Sequence, residues 1–289
     1  MANPVLHAHG LGIRPSGGGA RALLNSLEIS LYEHERVALM GPSGSGKSSI
    51  VHTLAGITEP TTGTIQILGR TIDHDNHSGR SYQSQFDGLN LAFLHQRTEN
   101  SIFPWVGVWE HVALGCELRS IERDEALIHH LIAAAGLSDR LEYLPKRLSG
   151  GMRRRLALIT VLATRSQLFL LDEPFSGSDY DICLDLYETI HNTFQEGTFL
   201  FTTHDMDEAA LLAHRVLCLD VRVASACMIH EIVCPQSLYN QSPQARRNSF
   251  AEFAQSIRSV LDTIRPPRPA TTAQPERTLL GEGCELMPH

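Results

Sequence analysis

The chain has 289 residues, 42% of them hydrophobic and 19% charged, with a formal charge of −8 at pH 7. That length supports one large domain or two small ones around a sizeable core. The acidic balance argues against non-specific nucleic-acid binding as the main activity, and no apolar run reaches the roughly 20 residues that a membrane-spanning helix needs.

Residues 1–36 are expected to form two short strands joined by a turn at Ser16-Gly17-Gly18-Gly19, because Leu27, Ile29 and Leu31 alternate with Glu28, Ser30 and Tyr32. The apolar run Val37-Ala38-Leu39-Met40 leads into a Gly/Ser-rich loop over residues 41–48. Helical spacing then runs from Ser48 to Ala55 and stops at Gly56. A turn over residues 58–63 precedes a strand from Thr64 to Leu68, closed by Gly69-Arg70. Residues 73–88 are polar and without period, and read as a surface excursion. A strand from Leu89 to Leu94 delivers Gln96. Helical patterns at 108–118 and 124–136, without strand signals, mark a helical subdomain of about residues 98–165, whose last helix starts near Gly151 and ends near Ala163.

Leu168-Phe169-Leu170-Leu171 is a short continuous apolar run, as in a buried parallel strand. Helix 179–195, strand 198–203, helix 205–213 and strand 215–219 continue an alternating pattern. It predicts an α/β domain over residues 1–235 with a doubly wound, mostly parallel sheet. A helical extension is expected over 236–264. A disordered tail is expected over 265–289, where Pro266, Pro267, Pro269 and Pro275 fall without periodicity. Six cysteines lack C-x-x-C pairing and fit a reducing compartment. The fifteen histidines are dispersed and read as surface or packing residues. Met1-Ala2-Asn3-Pro4 carries no sign of an export signal.

The loop Gly41-Pro42-Ser43-Gly44-Ser45-Gly46-Lys47-Ser48 fits G-x-x-x-x-G-K-[ST] between a strand and a helix, the pattern of a phosphate-binding loop. Its glycines let backbone N–H groups converge on phosphate oxygens. Lys47 supplies an ammonium for the β- and γ-phosphates, and Ser48 a hydroxyl for Mg²⁺. Asp172 and Glu173 end a buried strand at the sheet edge where ligands bind, placing Asp172 to hold Mg²⁺ and Glu173 to act as general base on water. Leu148-Ser149-Gly150-Gly151-Met152 opens a helix, either as an anion site or as a plain serine cap. His204 and Gln96 each follow an apolar strand and are uninformative alone.

In this order the motifs resemble the nucleotide-binding subunit of ABC transporters over roughly residues 5–235. The resemblance implies a P-loop NTPase core with an antiparallel β subdomain and a helical subdomain. It implies that residues 41–48 with Ser49 bind ATP, that Gln96 contacts Mg²⁺ and the attacking water, and that Asp172 holds Mg²⁺. Glu173 is then the catalytic base, and His204 the residue holding the γ-phosphate. Ser149, Gly150 and Gly151 form the signature. Asp179, closing Ser176-Gly177-Ser178-Asp179, belongs to the D-loop. Two such subunits sandwich two ATP molecules, so Ser149 is expected to serve a second ATP-binding subunit, a homodimer in the simplest case. Also implied are separate transmembrane permease subunits, an extracytoplasmic solute-binding protein, a peripheral place on the cytoplasmic face of the inner membrane, and no nucleic-acid partner.

The sequence departs from the family pattern. Gly10 to Pro15 lacks the aromatic that stacks on adenine, Arg154 stands where Gln is usual, and Gly177 and Ser178 replace Ala-Leu in the D-loop. The short spacing from Gln96 to Leu148 and the single phosphate loop disfavour soluble chromosome-maintenance or translation ATPases; an exporter subunit is the other alternative. Phe103-Pro104-Trp105 and Glu110-His111-Val112-Ala113-Leu114-Gly115 look like the importer ATPases for nitrate, sulfonates and taurine, as does Thr202-Thr203-His204-Asp205-Met206-Asp207-Glu208-Ala209. The stretch beyond residue 235 is too short for the regulatory β-barrel of sugar-importer ATPases. Trp105 either packs inside the helical subdomain or forms an exposed docking surface for a permease helix.

Overall fold

The apolar runs near residues 37, 168 and 198 form the centre of a six-stranded sheet in the computed structural model, which describes residues 4–13, 24–74, 81–97, 101–220, 228–235, 238, 240–247 and 249–264. In chain order the first strands are β1 (Leu6–Ile13), β2 (Leu24–Leu31), β3 (Arg36–Met40), β4 (Thr62–Ile67) and β5 (Arg70–Asp73). They are followed by β6 (Leu91–Leu94), β7 (Leu168–Asp172), β8 (Thr198–Thr202), β9 (Arg215–Asp220) and β10 (Met228–Val233). The helices are α1 (Lys47–Leu54), α2 (Val108–Leu118), α3 (Glu125–Ala134), α4 (Gly150–Ala163), α5 (Tyr180–Thr193), α6 (Met206–Leu212), α7 (Pro243–Arg246) and α8 (Ala251–Ile264).

The large sheet has the order β10-β9-β3-β8-β7-β6 and is parallel except for β10. Its central strands are apolar throughout because both of their faces are covered. Leu168 and Leu170 face the layer shared with α1 and the antiparallel sheet, whereas Phe169 and Leu171 face the layer shared with α4 and α5. Each such side chain contributes about 1.5–3 kcal/mol on burial. The second sheet, order β2-β1-β4-β5, is antiparallel and lays Leu6, Ala8, Ile65 and Ile67 on the α1 side of the core.

The helical patterns at 108–118 and 124–136 become α2 and α3, which pack on each other and on α4. Asp124 caps α3 by accepting from the Leu127 N–H at 2.9 Å, and this fixes the helix start. Two strands escape the sequence reading. β5 follows β4 directly through Leu68 (φ 49°) and Gly69 (φ 74°), two left-handed residues of a tight hairpin rather than the end of a sheet. β10 is an antiparallel edge strand beside β9, added to an otherwise parallel sheet.

The helical extension is tied down by Arg246, which is completely buried. Its guanidinium donates to the carbonyls of Leu238 at 2.9 Å and Ala213 at 2.8 Å, so a cation closes the C-terminal end of α6. Phe253, Ile257 and Ile264 of α8 complete the core there. The turn expected at residues 16–19 and the tail expected at 265–289 lie outside the described residues.

Candidate active site

Sheet order brings the predicted site residues together. β8 lies between β3 and β7, so Thr202 pairs with Leu39 on one side and with Asp172 on the other. The phosphate loop, Asp172-Glu173 and Thr203-His204 therefore leave adjacent strands at the same C-terminal edge, where α/β sheets bind ligands. Gly41, Gly44 and Gly46 have φ of 154°, 79° and 96°. At Gly46, directly before α1, a side chain would be strained, so the sharp entry into the helix requires glycine. Pro42, Ser43 and Ser45 complete the loop, and the buried Ser45 hydroxyl has no hydrogen-bond partner. Ser49 is the third residue of α1, directly after Ser48. Lys47 Nζ donates to the carbonyls of Gly41 at 2.8 Å and Pro42 at 3.1 Å, folding the ammonium back over the loop. Burial pushes its pKa down, and the Glu173 and Asp172 carboxylates oppose that shift.

Asp172 is 1% exposed and sits at the centre of the polar cluster. Its Oδ1 accepts from Ser48 Oγ at 3.1 Å and from Thr202 Oγ1 at 2.7 Å. Burial acts to raise this carboxyl, but contacts with His52, Thr202 and Ser48 outweigh it and hold the group below its usual value. His52 Nε2 lies 3.5 Å from Asp172 Oδ2, and neither buried atom has a hydrogen-bond partner. The carboxylate has one oxygen on the Ser48 hydroxyl and the other with only the 3.5 Å approach of His52, a pair of oxygens that suits a hard cation. The oxygen donors of Ser48 and Asp172 thus fit Mg²⁺.

Glu173 adopts φ 49°, a sparsely populated conformation for a side-chain-bearing residue, and its N–H is fixed by Thr202 Oγ1 at 2.8 Å. That turn directs the Glu173 carboxylate away from Asp172's packed environment toward His204, whose Nδ1 is 3.8 Å from Glu173 Oε1. Two neighbouring carboxylates thus occupy different surroundings. Arg154 connects Glu173 to the loop after β6 that carries Gln96: its guanidinium donates to the Glu173 carbonyl at 2.8 Å and to the Gln96 carbonyl. The planar fork spans both carbonyls at once.

Ser149 caps α4, accepting from the Met152 N–H at 3.2 Å. A side chain at Gly151 would stand 2.5 Å from the Gly177 carbonyl, so the glycine lets α4 and the D-loop touch. Asp179 ends that loop as the residue before α5. These residues belong to a different layer from the phosphate loop: α1 packs on β1, β7 and β8, whereas α4 packs on α2, α3 and β6.

Residues 24–176 match the family described as ABC transporter. The chain belongs to the ABC transporter family. It is 37% identical over 217 residues to the aliphatic sulfonates import ATP-binding protein SsuB 1 of Pseudomonas aeruginosa, covering 73% of this chain and 81% of that protein. It is 34% identical over 223 residues to the sulfate/thiosulfate import ATP-binding protein CysA of Mesostigma viride, covering 75% of this chain but only 59% of that one. The fold is also that of the ATP-binding cassette MJ0796, solved as a dimer in a post-hydrolysis state bound to ADP and Pi. That match has a TM-score of 0.64 and 21% identity, over 80% of this chain and 99% of the other.

Within this ABC fold, the segment after Gln96 forms an apolar rim. Trp105 is 73% exposed and Phe103 42%, with their rings 5.7 Å apart. With Ile57 and Leu118, also exposed, they line a groove of about 750 Å³. Trp105 therefore does not fill the helical core. The turn is held from beneath by His111, whose Nε2 accepts from the Phe103 N–H at 2.9 Å. Burial lowers the His111 pKa, which keeps the imidazole neutral and able to accept. Among the described residues, no helix is long and apolar enough to cross a membrane.

Sequence reasoning missed His52 and gave Thr202, quoted only as part of a family-like stretch, no role. Thr202 is a hydroxyl at the last position of an apolar strand, two residues before His204. His52 lies four residues after Ser48, on the same face of α1. Both signals are visible only once Asp172 is known to lie between those elements.

Proposed function

We propose that this chain is an ATP-hydrolysing subunit that powers a membrane importer for a small oxyanion nutrient. The observation that carries the ATPase reading is the convergence of Lys47, Ser48, Asp172, Glu173 and His204 at one sheet edge. The phosphate loop binds the triphosphate through its N–H groups and Lys47. Mg²⁺, held by Ser48 and Asp172 with Gln96 at the edge of the site, would neutralise phosphate charge. Glu173 orients and deprotonates the attacking water, and His204 contacts the terminal phosphate. Ser149, Gly150, Gly151 and Asp179 act on the nucleotide of a second copy of the chain, which is consistent with their layer lying apart from α1.

Transport is the better reading than a soluble ATPase because the exposed aromatic rim borders the segment that follows Gln96. A permease helix seated in that groove would couple its movement to the nucleotide site, with the subunit held on the cytoplasmic face of the membrane. The names of the sulfate, thiosulfate and sulfonate relatives support an oxyanion as the solute, delivered by an extracytoplasmic binding protein. The test is co-expression of wild type and Trp105→Ala with a candidate permease of the same host, followed by co-purification. The variant should lose most of the permease while keeping basal ATP hydrolysis. Unchanged co-purification would refute the docking surface.

A further inference from the structure

The outer face of the antiparallel sheet carries a cluster outside the phosphate chemistry. His7 and His9 project to the same side of β1 because side chains alternate along a strand, while Leu6 and Ala8 are buried beneath. β2 runs antiparallel alongside, with His7 opposite Ser30, which brings Glu28 next to His9. The register slips between Ala8 and Leu11, and Gly10 at φ 60° lies within the slip. Such an irregularity re-aims a side chain. Here it accompanies a carboxylate that bridges two groups: one Glu28 oxygen accepts from the Gly10 N–H at 2.9 Å, and the other lies 3.0 Å from His9 Nδ1. His7 Nδ1 contacts Ser30 Oγ at 2.9 Å, which fixes its ring. One potential ligand atom from each of His7, His9 and Glu28 lies within 4.8 Å of the others.

We propose that His7, His9 and Glu28 bind one zinc ion. Two imidazole nitrogens and one carboxylate form a borderline donor set that suits Zn²⁺, while Mg²⁺ and Ca²⁺ favour all-oxygen sites such as Ser48 with Asp172. Zinc bonds of about 2.0–2.2 Å require the three donors to draw closer. The His9 and Glu28 side chains are 71% and 51% exposed, so there is space for them to turn toward the ion as it replaces their direct contact. Solvent fills the remaining position. The ion clamps β1 to β2, and Ser30 acts behind His7 as an orienting partner. The dispersal of histidines along the sequence concealed this pairing, because Glu28 reaches His9 only through sheet register.

Titration of the metal-stripped full chain with zinc chloride, without nucleotide, tests the site by calorimetry. With fifteen histidines in the sequence, the decisive readout is the difference between wild type and the His7→Ala/His9→Ala double variant. The variant should bind one tight equivalent fewer, and zinc should raise the melting temperature of the wild type only. Ser30→Ala should weaken the same site on the order of ten- to a hundredfold. Glu28→Gln, which leaves both histidines, provides a second variant and should also lose the tight site. Millimolar Mg²⁺ should not compete. Identical zinc isotherms for wild type and variants, or no tight zinc binding by the wild type, would overturn the proposal.

Discussion

Ser48 donates its hydroxyl hydrogen to Oδ1 of Asp172 at 3.1 Å, a contact between residues 124 positions apart in the chain. It joins the helix that begins in the phosphate loop to the end of β7. The same carboxylate oxygen is held by Thr202. The site is therefore a cross-strand assembly whose geometry depends on β8 lying between β3 and β7.

Thr202→Val tests that dependence. Valine keeps the shape but removes the donor to Asp172 and the acceptor for the Glu173 N–H, leaving a buried donor unsatisfied. We expect a loss of about 1–3 kcal/mol in stability. The turnover number should fall by more than the change in ATP affinity, because the Glu173 backbone loses its anchor. Thermal melting and steady-state kinetics measure both. A variant with wild-type turnover would show that Thr202 is a packing residue.

Base selectivity should be weak. Ile13 is fully buried, and Tyr32 precedes β3, at the strand end opposite the phosphate loop, with the Arg215 guanidinium 5.8 Å from its ring centre. Neither presents a ring to an adenine. Base–aromatic stacking is worth about 1–3 kcal/mol. Without it, GTP should compete within roughly tenfold of ATP, since about 1.4 kcal/mol is a factor of ten. Competition binding with labelled ATP decides the point, and a preference far beyond that range would contradict it.

Acid should unfold the protein through His214. Burial, with Arg36, Arg246 and His191 beside it, pushes this imidazole down to about 2. The unfolded chain binds the proton near pH 6.5, so between those values the unfolded state holds more protons than the native one. Stability is complete above about pH 6.5 and falls by about 1.4 kcal/mol per unit below it. His214→Asn retains an acceptor for the Arg36 N–H, which now reaches His214 Nδ1 at 3.3 Å. It should flatten the slope of denaturation midpoint against pH between 5 and 6.5. An unchanged slope would assign acid sensitivity elsewhere.

The phosphate loop, Asp172 and Glu173 were legible because each ends an apolar run, and strand ends in an alternating α/β chain share one edge; His204, uninformative alone, gained its role only from the family resemblance of the ordered motifs. Ser149 was ambiguous in sequence and does cap its helix; a cap and an anion site use the same atoms. Thr202, His52 and the zinc cluster were not legible, since their partners are set by strand order and register. Trp105 was open between core and surface, because residue type alone does not report exposure. β5 was hidden by a turn that reads as a strand end, and the role of Arg246 by the rarity of a fully buried arginine.

The central claim is that Glu173 performs chemistry while Lys47 and its loop bind nucleotide. The most direct measurement is ATP hydrolysis by Glu173→Gln alongside its equilibrium ATP binding, with Lys47→Ala as the comparison. Turnover by Glu173→Gln should vanish with ATP affinity intact, and ATP should trap it as a dimer visible by gel filtration, whereas Lys47→Ala should lose affinity itself. Normal hydrolysis by Glu173→Gln would contradict the account.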